Sequence, residues 1–428
     1  MPARWNGWTT TSTAHPSRDL HRHELVRGSG CEVWDTDGRC HLDGVAGAAN
    51  TPFGHVHPRV TEVVTAHLGQ LAHIDETLAT QQPAEALIDA LAEFTGMDDF
   101  VFVNSGSEAV EASIRIAMDY WRHRGQPQRD TIIAFARGYH GCTALTAGLS
   151  GLPILHTDWA AKPHVRHVEL AAHHHPDQPD AALALAAAFD AAITNAGPHR
   201  VAAVIVEPFL NVGGGVVLPE GFLTELLAVT RVFDCLMIVD EVFTGFGRSG
   251  TAFAIDKMPE PPDILAISKG MTNGVVPMGA TCLRRGIREH FGDEPLRYGH
   301  TTSGHGLGCV AALATIDLLR TDGLIQAAAT AEWLSTEWRY LRAAGVVDLR
   351  TYGVVGVAEC DSVERAQAIA ARARQGGVSS GGLIIGCKGP ALMLTPALNV
   401  PEKQLVKMVA RLKFAIAEVE TYGRSVRA

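Results

Sequence analysis

Short, unbroken apolar runs recur along the chain. They are "FVFV" (100–103), "TIIAF" (131–135), "VAAVIV" (201–206), "LMIVD" (236–240), "DILAIS" (263–268) and "GATCL" (279–283). Their length and β-branched content predict strands buried on both faces. Helical stretches lie between several of them, and the alanine-rich run 181–192 predicts a helix ended by "NAGP". Buried strands alternating with helices predict an α/β fold with a mostly parallel sheet covered on both sides. Ligands bind such sheets at the carboxyl ends of the strands. Four of these strands run into polar residues: the segment 104–107, Glu207, Asp240 and Lys269.

The pattern changes in the last third. Residues 307–345 carry long helical stretches, "AALATIDLL" and "AEWLSTEWRYLRAAG". The strand-like pieces "VVDLR" and "VVGVAEC" follow, and a helix near 401–422 closes the chain. Near the other end, "CEVWDTDGRCHLDG" (31–44) reads as a hairpin turning at "DG". The hairpin is expected to join the C-terminal α+β layer. The resulting division is 1–65 (an N-terminal segment and part of a small domain), 66–320 (a large domain) and 321–428 (the rest of the small domain).

At 428 residues the chain exceeds one small core. No apolar run reaches membrane-spanning length, and the first twenty residues lack a signal-peptide core. A cytoplasmic location is therefore expected. The net charge is −10 without a basic block, which argues against a nucleic-acid partner and mildly favours a cationic substrate. The eight cysteines are scattered without a CxxC pair, so reduced thiols are expected, not a metal or disulfide frame. His173, His174 and His175 lie in a polar stretch that reads as a solvated loop, and "GHVHP" (54–58) reads as a turn. No metal site is expected.

Three strand ends carry candidate chemistry. In "NSGSEAVEA" (104–112), Ser105 and Glu108 form a capping-box pattern ahead of a helix. Free N–H groups there suit a phosphate, Gly106 permits close approach and Ser107 adds a hydroxyl. An ordinary capped helix has the same pattern. Asp240 ends a buried strand and requires a cation. A protonated pyridine nitrogen would serve, and so would Arg248. Lys269 ends another buried strand, where an apolar setting lowers an amine's pKa and suits it to form a Schiff base. A buried ion pair with Asp240 or Glu207 is the alternative.

The order of "NSGSEAVEA", "YHG", "VEP", "VDEVFTGFGRSG", "SKGMTNG" and "GHTTSGHGLGCVAALATIDLL" resembles the class III aminotransferases. These are fold-type-I, pyridoxal-phosphate-dependent enzymes acting on ornithine, GABA and ω-amines. The resemblance runs from "VWDTDGRCHLDG" to "LTPALNV", nearly the whole chain. It implies the aspartate-aminotransferase-like large domain and a smaller α+β domain from both termini. Lys269 would hold the cofactor as a Schiff base and shuttle the proton. Asp240 would keep the pyridine nitrogen protonated. Tyr139 would stack on one ring face, with Val242 on the other. Gly106 and Ser107 would take the phosphate, with Ser105, His140 and Glu207 also lining the cofactor site. Thr301 would reach a phosphate across the interface of a homodimer.

The sequence also departs from that family. Phe243 stands where relatives often have glutamine, and "VEPFLNVGGGVVLP" (206–219) is one residue longer. Met393 occupies the place of an arginine that binds α-carboxylates in many members. Methionine cannot make that bidentate contact. An amine, diamine or amino sugar fits such a site, paired with a keto or aldehyde acceptor. Arg297 or Lys388 is the alternative carboxylate anchor. Epimerisation or elimination on the same scaffold is the runner-up. A dehydrogenase is disfavoured because no GxGxxG opens a helix after a strand.

Overall fold

The computed structural model describes residues 24–156, 164–170, 176–292, 294, 296, 298–376 and 381–425. His173, His174, His175 and Arg297 lie outside the described residues. Near the N-terminus are β1 (Leu25–Ser29), β2 (Glu32–Asp35) and β3 (Cys40–Asp43). The next four strands are β4 (Asp99–Val103), β5 (Thr131–Phe135), β6 (His164–Val168) and β7 (Val201–Val206). A short ribbon, β8 (Phe209–Leu210) and β9 (Val216–Val217), precedes β10 (Leu236–Asp240), β11 (Ile264–Ile267) and β12 (Gly279–Leu283). The last five are β13 (Val346–Thr351), β14 (Gly356–Cys360), β15 (Leu383–Ile384), β16 (Gly386–Lys388) and β17 (Ala391–Leu394).

The central sheet has seven strands in the order β4-β12-β11-β10-β7-β5-β6. Pairing is parallel from β11 through β6, while β12 runs antiparallel to both β11 and β4. All six strands expected from apolar runs are present. Their side chains alternate between two buried layers. Ile205, Ile238 and Ile264 face one core, with Ile114 and Trp121 of the helix Gly106–His123. Val204, Met237 and Leu265 face the other, with Phe189 and Phe222. Coverage on both faces is the reason these strands carry no polar alternation.

β6 is a strand that the apolar pattern did not predict. Its residues HVRHV alternate between more and less exposed positions at the sheet edge. An edge strand with one wet side is polar enough to read as loop. The hairpin at 31–44 does form, as β2 and β3, and β15 pairs with β3 in parallel. The C-terminal chain therefore joins the N-terminal hairpin in one sheet, β1-β2-β3-β15. A second sheet, β13-β14-β17-β16, lies beside it in sequence. The long helices Gly306–Leu318, Leu324–Glu337 and Glu402–Ser425 match the helical stretches of the last third. Among the described residues, no helix is long and apolar enough to cross a membrane.

This topology gathers one edge. Strands β4, β5, β7, β10 and β11 all run the same way, so their carboxyl ends lie together. The polar residues that follow them are brought to the same place.

Candidate active site

A cavity of about 140 Å³ sits at that edge. Ser105, Gly106, Ser107, Tyr139, His140, Glu207, Asp240, Val242 and Lys269 all line it. Gly141, Asn211 and Phe243 complete the lining.

The turn after β4 is built as an anion cradle. Ser105 caps the helix Gly106–His123, its Oγ accepting the Glu108 N–H at 3.2 Å. The reciprocal half of the capping box is displaced by one residue: the Glu108 carboxylate accepts the Asn104 N–H at 2.7 Å. The helix therefore starts with free N–H groups and its positive dipole end at the cavity. Ser107 Oγ accepts the Cys142 N–H at 3.1 Å, tying this turn to the 138–143 loop. A Cβ at Gly106 would lie 2.6 Å from Val242 Cγ1, closer than side chains approach. Only glycine lets the two loops meet there.

At the other end, Asp240 is buried at the tip of β10. Its Oδ1 accepts the Val242 N–H at 3.1 Å. Its Oδ2 accepts from His140 Nδ1 at 2.9 Å. Arg248, the alternative partner considered from sequence, lies elsewhere: its Nη1 donates to the carbonyls of Val354 (2.9 Å) and Pro396 (2.6 Å). Burial lowers its pKa to about 10. The sequence held no sign that His140, a hundred positions away, orients Asp240.

Glu207 follows β7 and is also buried. Its Oε1 accepts the Tyr139 N–H at 2.8 Å, which fixes the tyrosine over the cavity. Burial, then the nearby Asp240 charge, push the Glu207 carboxyl well above the usual range. Lys269 begins the turn Lys269–Thr272 after β11 with φ of 43°. A lysine held in the left-handed region is strained backbone, which tends to persist at functional sites. Burial lowers its pKa, and the Asp240 and Glu207 charges oppose that shift. Among the described residues no ion pair joins Lys269 to either carboxylate. The ion-pair alternative is therefore not formed.

Thr301 does not line this cavity; it is exposed. Its carbonyl accepts from His73 Nε2, while Thr302 Oγ1 donates to Asn104 Oδ1 at 2.7 Å. The loop thus sits beside the phosphate-type turn, with Thr301 outside this chain's own pocket lining.

An aromatic wall adjoins the cavity. Phe243 stacks on Phe209 at 5.7 Å and 19°, and Phe209 stacks on Tyr352 at 5.1 Å and 16°. Ala49, Val355, Val357, Ala391 and Met393 pack against them. The Phe243 ring centre is 6.0 Å from Lys269 Nζ. Ala49 reaches this wall through a left-handed turn in which Ala46, Gly47, Ala48 and Ala49 all have positive φ. Each such alanine costs roughly 1–2 kcal/mol. Phe209, Tyr352 and Ala49 were not recognised from sequence, because the wall is assembled from segments far apart in the chain.

The donor set suits one kind of group. It offers amide and hydroxyl donors for a phosphate, a buried carboxylate for a protonated ring nitrogen, and an amine of lowered pKa for an aldehyde. Pyridoxal phosphate has those three features. Among the described residues no cluster of three metal-type ligands occurs.

Residues 13–416 match the family model described as aminotransferase class-III. The chain is 30% identical to an omega-aminotransferase of Caulobacter vibrioides over 426 residues, 95% of this chain and 96% of the relative. It is 31% identical to the adenosylmethionine-8-amino-7-oxononanoate aminotransferase of Geobacter sulfurreducens, over 74% of each chain. An amine transaminase from an uncultivated Pseudomonas species, solved in PLP-bound form, superposes with a TM-score of 0.90 at 27% identity. That match covers 97% of this chain and 99% of the other.

Proposed function

Because the chain belongs to the class III aminotransferases and is therefore a pyridoxal-phosphate-dependent transaminase, we propose that its amino donor is an amine without an α-carboxylate. The observation that carries this reading is the apolar wall of Phe209, Phe243 and Met393 beside Lys269. An arginine at 393 would place a carboxylate there; methionine offers only dispersion contacts. Among amines, diamines and amino sugars, the wall favours an amine with an apolar substituent. A second ammonium or a sugar hydroxyl would be desolvated against aromatic rings without a partner.

When bound, the cofactor supplies an electron sink that lets a proton leave the carbon next to nitrogen. The chain supplies the rest. Lys269 Nζ would hold the cofactor and would serve as the base that moves that proton. Asp240 would hold the ring nitrogen's proton, and His140 Nδ1 fixes that carboxylate. Gly106 and Ser107 would bind the phosphate at the helix N-terminus that Ser105 caps. Tyr139 and Val242, both in the cavity lining, would enclose the cofactor, and Glu207 positions Tyr139.

The enzyme is further read as a cytoplasmic homodimer in which Thr301 serves the phosphate site of the neighbouring subunit. Its exposure, and its absence from its own cavity lining, support that role. The domain division at 65 and 320 is retained as part of this reading.

The donor class is tested by half-reactions followed through the cofactor absorbance. A primary amine with an apolar substituent should convert the cofactor faster than the α-amino acid with the same side chain. Preference for α-amino acids, with amines inert, would overturn the reading.

A further inference from the structure

We propose that Arg350, with Arg137, is a positioning residue for the cofactor site: the two guanidiniums hold the glycine loop 213–215 in the shape that keeps the Asn211 N–H on Glu207, beside Lys269. The proposal rests on the role given to Lys269 above.

The loop 211–215 joins β8 to β9, which pair Phe209 with Val217 and Leu210 with Val216. Three consecutive glycines have the widest choice of backbone shapes, so a single shape needs outside support. Gly214 and Gly215 have φ of 106° and 67°, and a Cβ at Gly213 would lie 2.3 Å from the Arg137 carbonyl oxygen. All three glycine carbonyls accept from guanidinium donors. Arg137 Nη2 donates to Gly213, Arg350 Nη2 to Gly214 at 2.8 Å, and Arg350 Nε to Gly215 at 2.7 Å. The remaining nitrogen of Arg350, Nη1, pairs with Glu359 at 2.6 Å and with Asp348. Every nitrogen of Arg350 is thus engaged, as a planar fork allows and an ammonium does not.

The loop carries Asn211 into the cofactor cavity. Glu207 takes two backbone N–H groups there, from Tyr139 at 2.8 Å and from Asn211. Arg137 stands two residues before Tyr139, so the clamp fixes both donors. Burial, then Asp240, push the Glu207 carboxyl up, while the Tyr139 N–H, the Lys269 charge and the Asn211 N–H hold it down. The charged groups that act on Lys269 are Asp240 of β10, Glu207 after β7 and Lys388 of β16, with His140 held on Asp240. Loss of the Asn211 N–H favours neutral Glu207, which no longer raises the Lys269 pKa. A slack loop therefore lowers the pH at which Lys269 becomes a free amine.

The test follows cofactor absorbance as apoenzyme is mixed with pyridoxal phosphate across a pH series. Arg350→Met should lower the midpoint of the reconstitution rate by roughly one pH unit, the lower end of what one nearby charge is worth. If Arg350 acted only through space, deleting its positive charge would raise the midpoint instead. Gly214→Ala leaves every charge in place and should lower the midpoint too, because its Cβ would meet Arg137 Nη2 at 2.6 Å. In a Glu207→Gln background, Arg350→Met should add no further shift. A raised or unmoved midpoint in either single variant whose apoenzyme melts cooperatively, or a full added shift in the Glu207→Gln background, would overturn the proposal. Borohydride reduction and peptide mapping of each variant check Lys269 separately. An adduct on another lysine overturns the Lys269 role and this proposal together. An unmoved midpoint with the adduct on Lys269 overturns this proposal alone.

Discussion

Substituting alanine for Gly106 tests the cofactor cradle at its tightest point. The added Cβ would lie 2.6 Å from Val242 Cγ1 and 3.0 Å from Cγ2. Val242 is not free to retreat, because its N–H is held by Asp240 Oδ1. Two relaxations remain: Val242 swings toward the cavity, or the turn 105–107 lifts off the sheet edge. The first narrows the cofactor's space and the second misaligns the phosphate donors. Overpacking of this kind costs about 1–3 kcal/mol. If that cost falls on the bound state, cofactor affinity drops by roughly 5- to 150-fold. Equilibrium dialysis of the apoenzyme against pyridoxal phosphate measures the loss, and thermal unfolding of the apoenzyme measures any separate cost to the fold. Val242→Ala removes both clashing methyls, so the double variant should bind the cofactor more tightly than Gly106→Ala alone. Unchanged affinity in Gly106→Ala, or strictly additive effects in the pair, would refute the reasoning.

Other expectations follow from the same geometry. Asp240→Asn keeps an acceptor oxygen for His140 but removes the charge; an adjacent opposite charge changes a protonation equilibrium by roughly 10- to 1,000-fold. Turnover should fall within that range while circular dichroism stays native, and near-normal rates would contradict the role of Asp240. Thr301→Ala should weaken cofactor binding by roughly 2- to 13-fold, the worth of one neutral hydrogen bond, without dissociating the dimer in sedimentation; unchanged affinity would count against a cross-subunit site. Reconstitution of apoenzyme consumes the free amine of Lys269, whose pKa lies below the ordinary 10.5 because of burial. A lowered pKa leaves more free amine at a given pH, so the reconstitution rate should rise with pH and level off below 10.5. A midpoint at or above that value would contradict the lowered pKa.

Much of this architecture was legible because burial dictates composition. Strands covered on both faces must be apolar throughout, so β7 and β10 announced themselves, and the polar residue ending each stood out as Glu207 or Asp240. Lys269 was conspicuous for the same reason, a charge at the end of "DILAIS". What stayed hidden depended on distance in the chain. The His140–Asp240 hydrogen bond joins two loops a hundred residues apart, and neither residue type signals the other. The wall of Phe209, Phe243 and Tyr352 draws on three segments; Phe243 stood out as a departure from the family, but nothing in the sequence joined it to the other two rings. β6 was missed because an edge strand carries the polar residues of a loop. The left-handed turn at Ala46–Ala49 breaks local preference, since alanine favours the right-handed region, and no sequence rule would place it there.

The central claim is that one amine, Lys269 Nζ, carries the cofactor. Borohydride reduction of the holoenzyme, followed by peptide mapping, tests it most directly, with the half-buried Lys388 nearby as a built-in competitor. The expected result is a single reduced cofactor adduct on the peptide containing Lys269. An adduct on Lys388 or any other lysine, or no adduct at all, would contradict it.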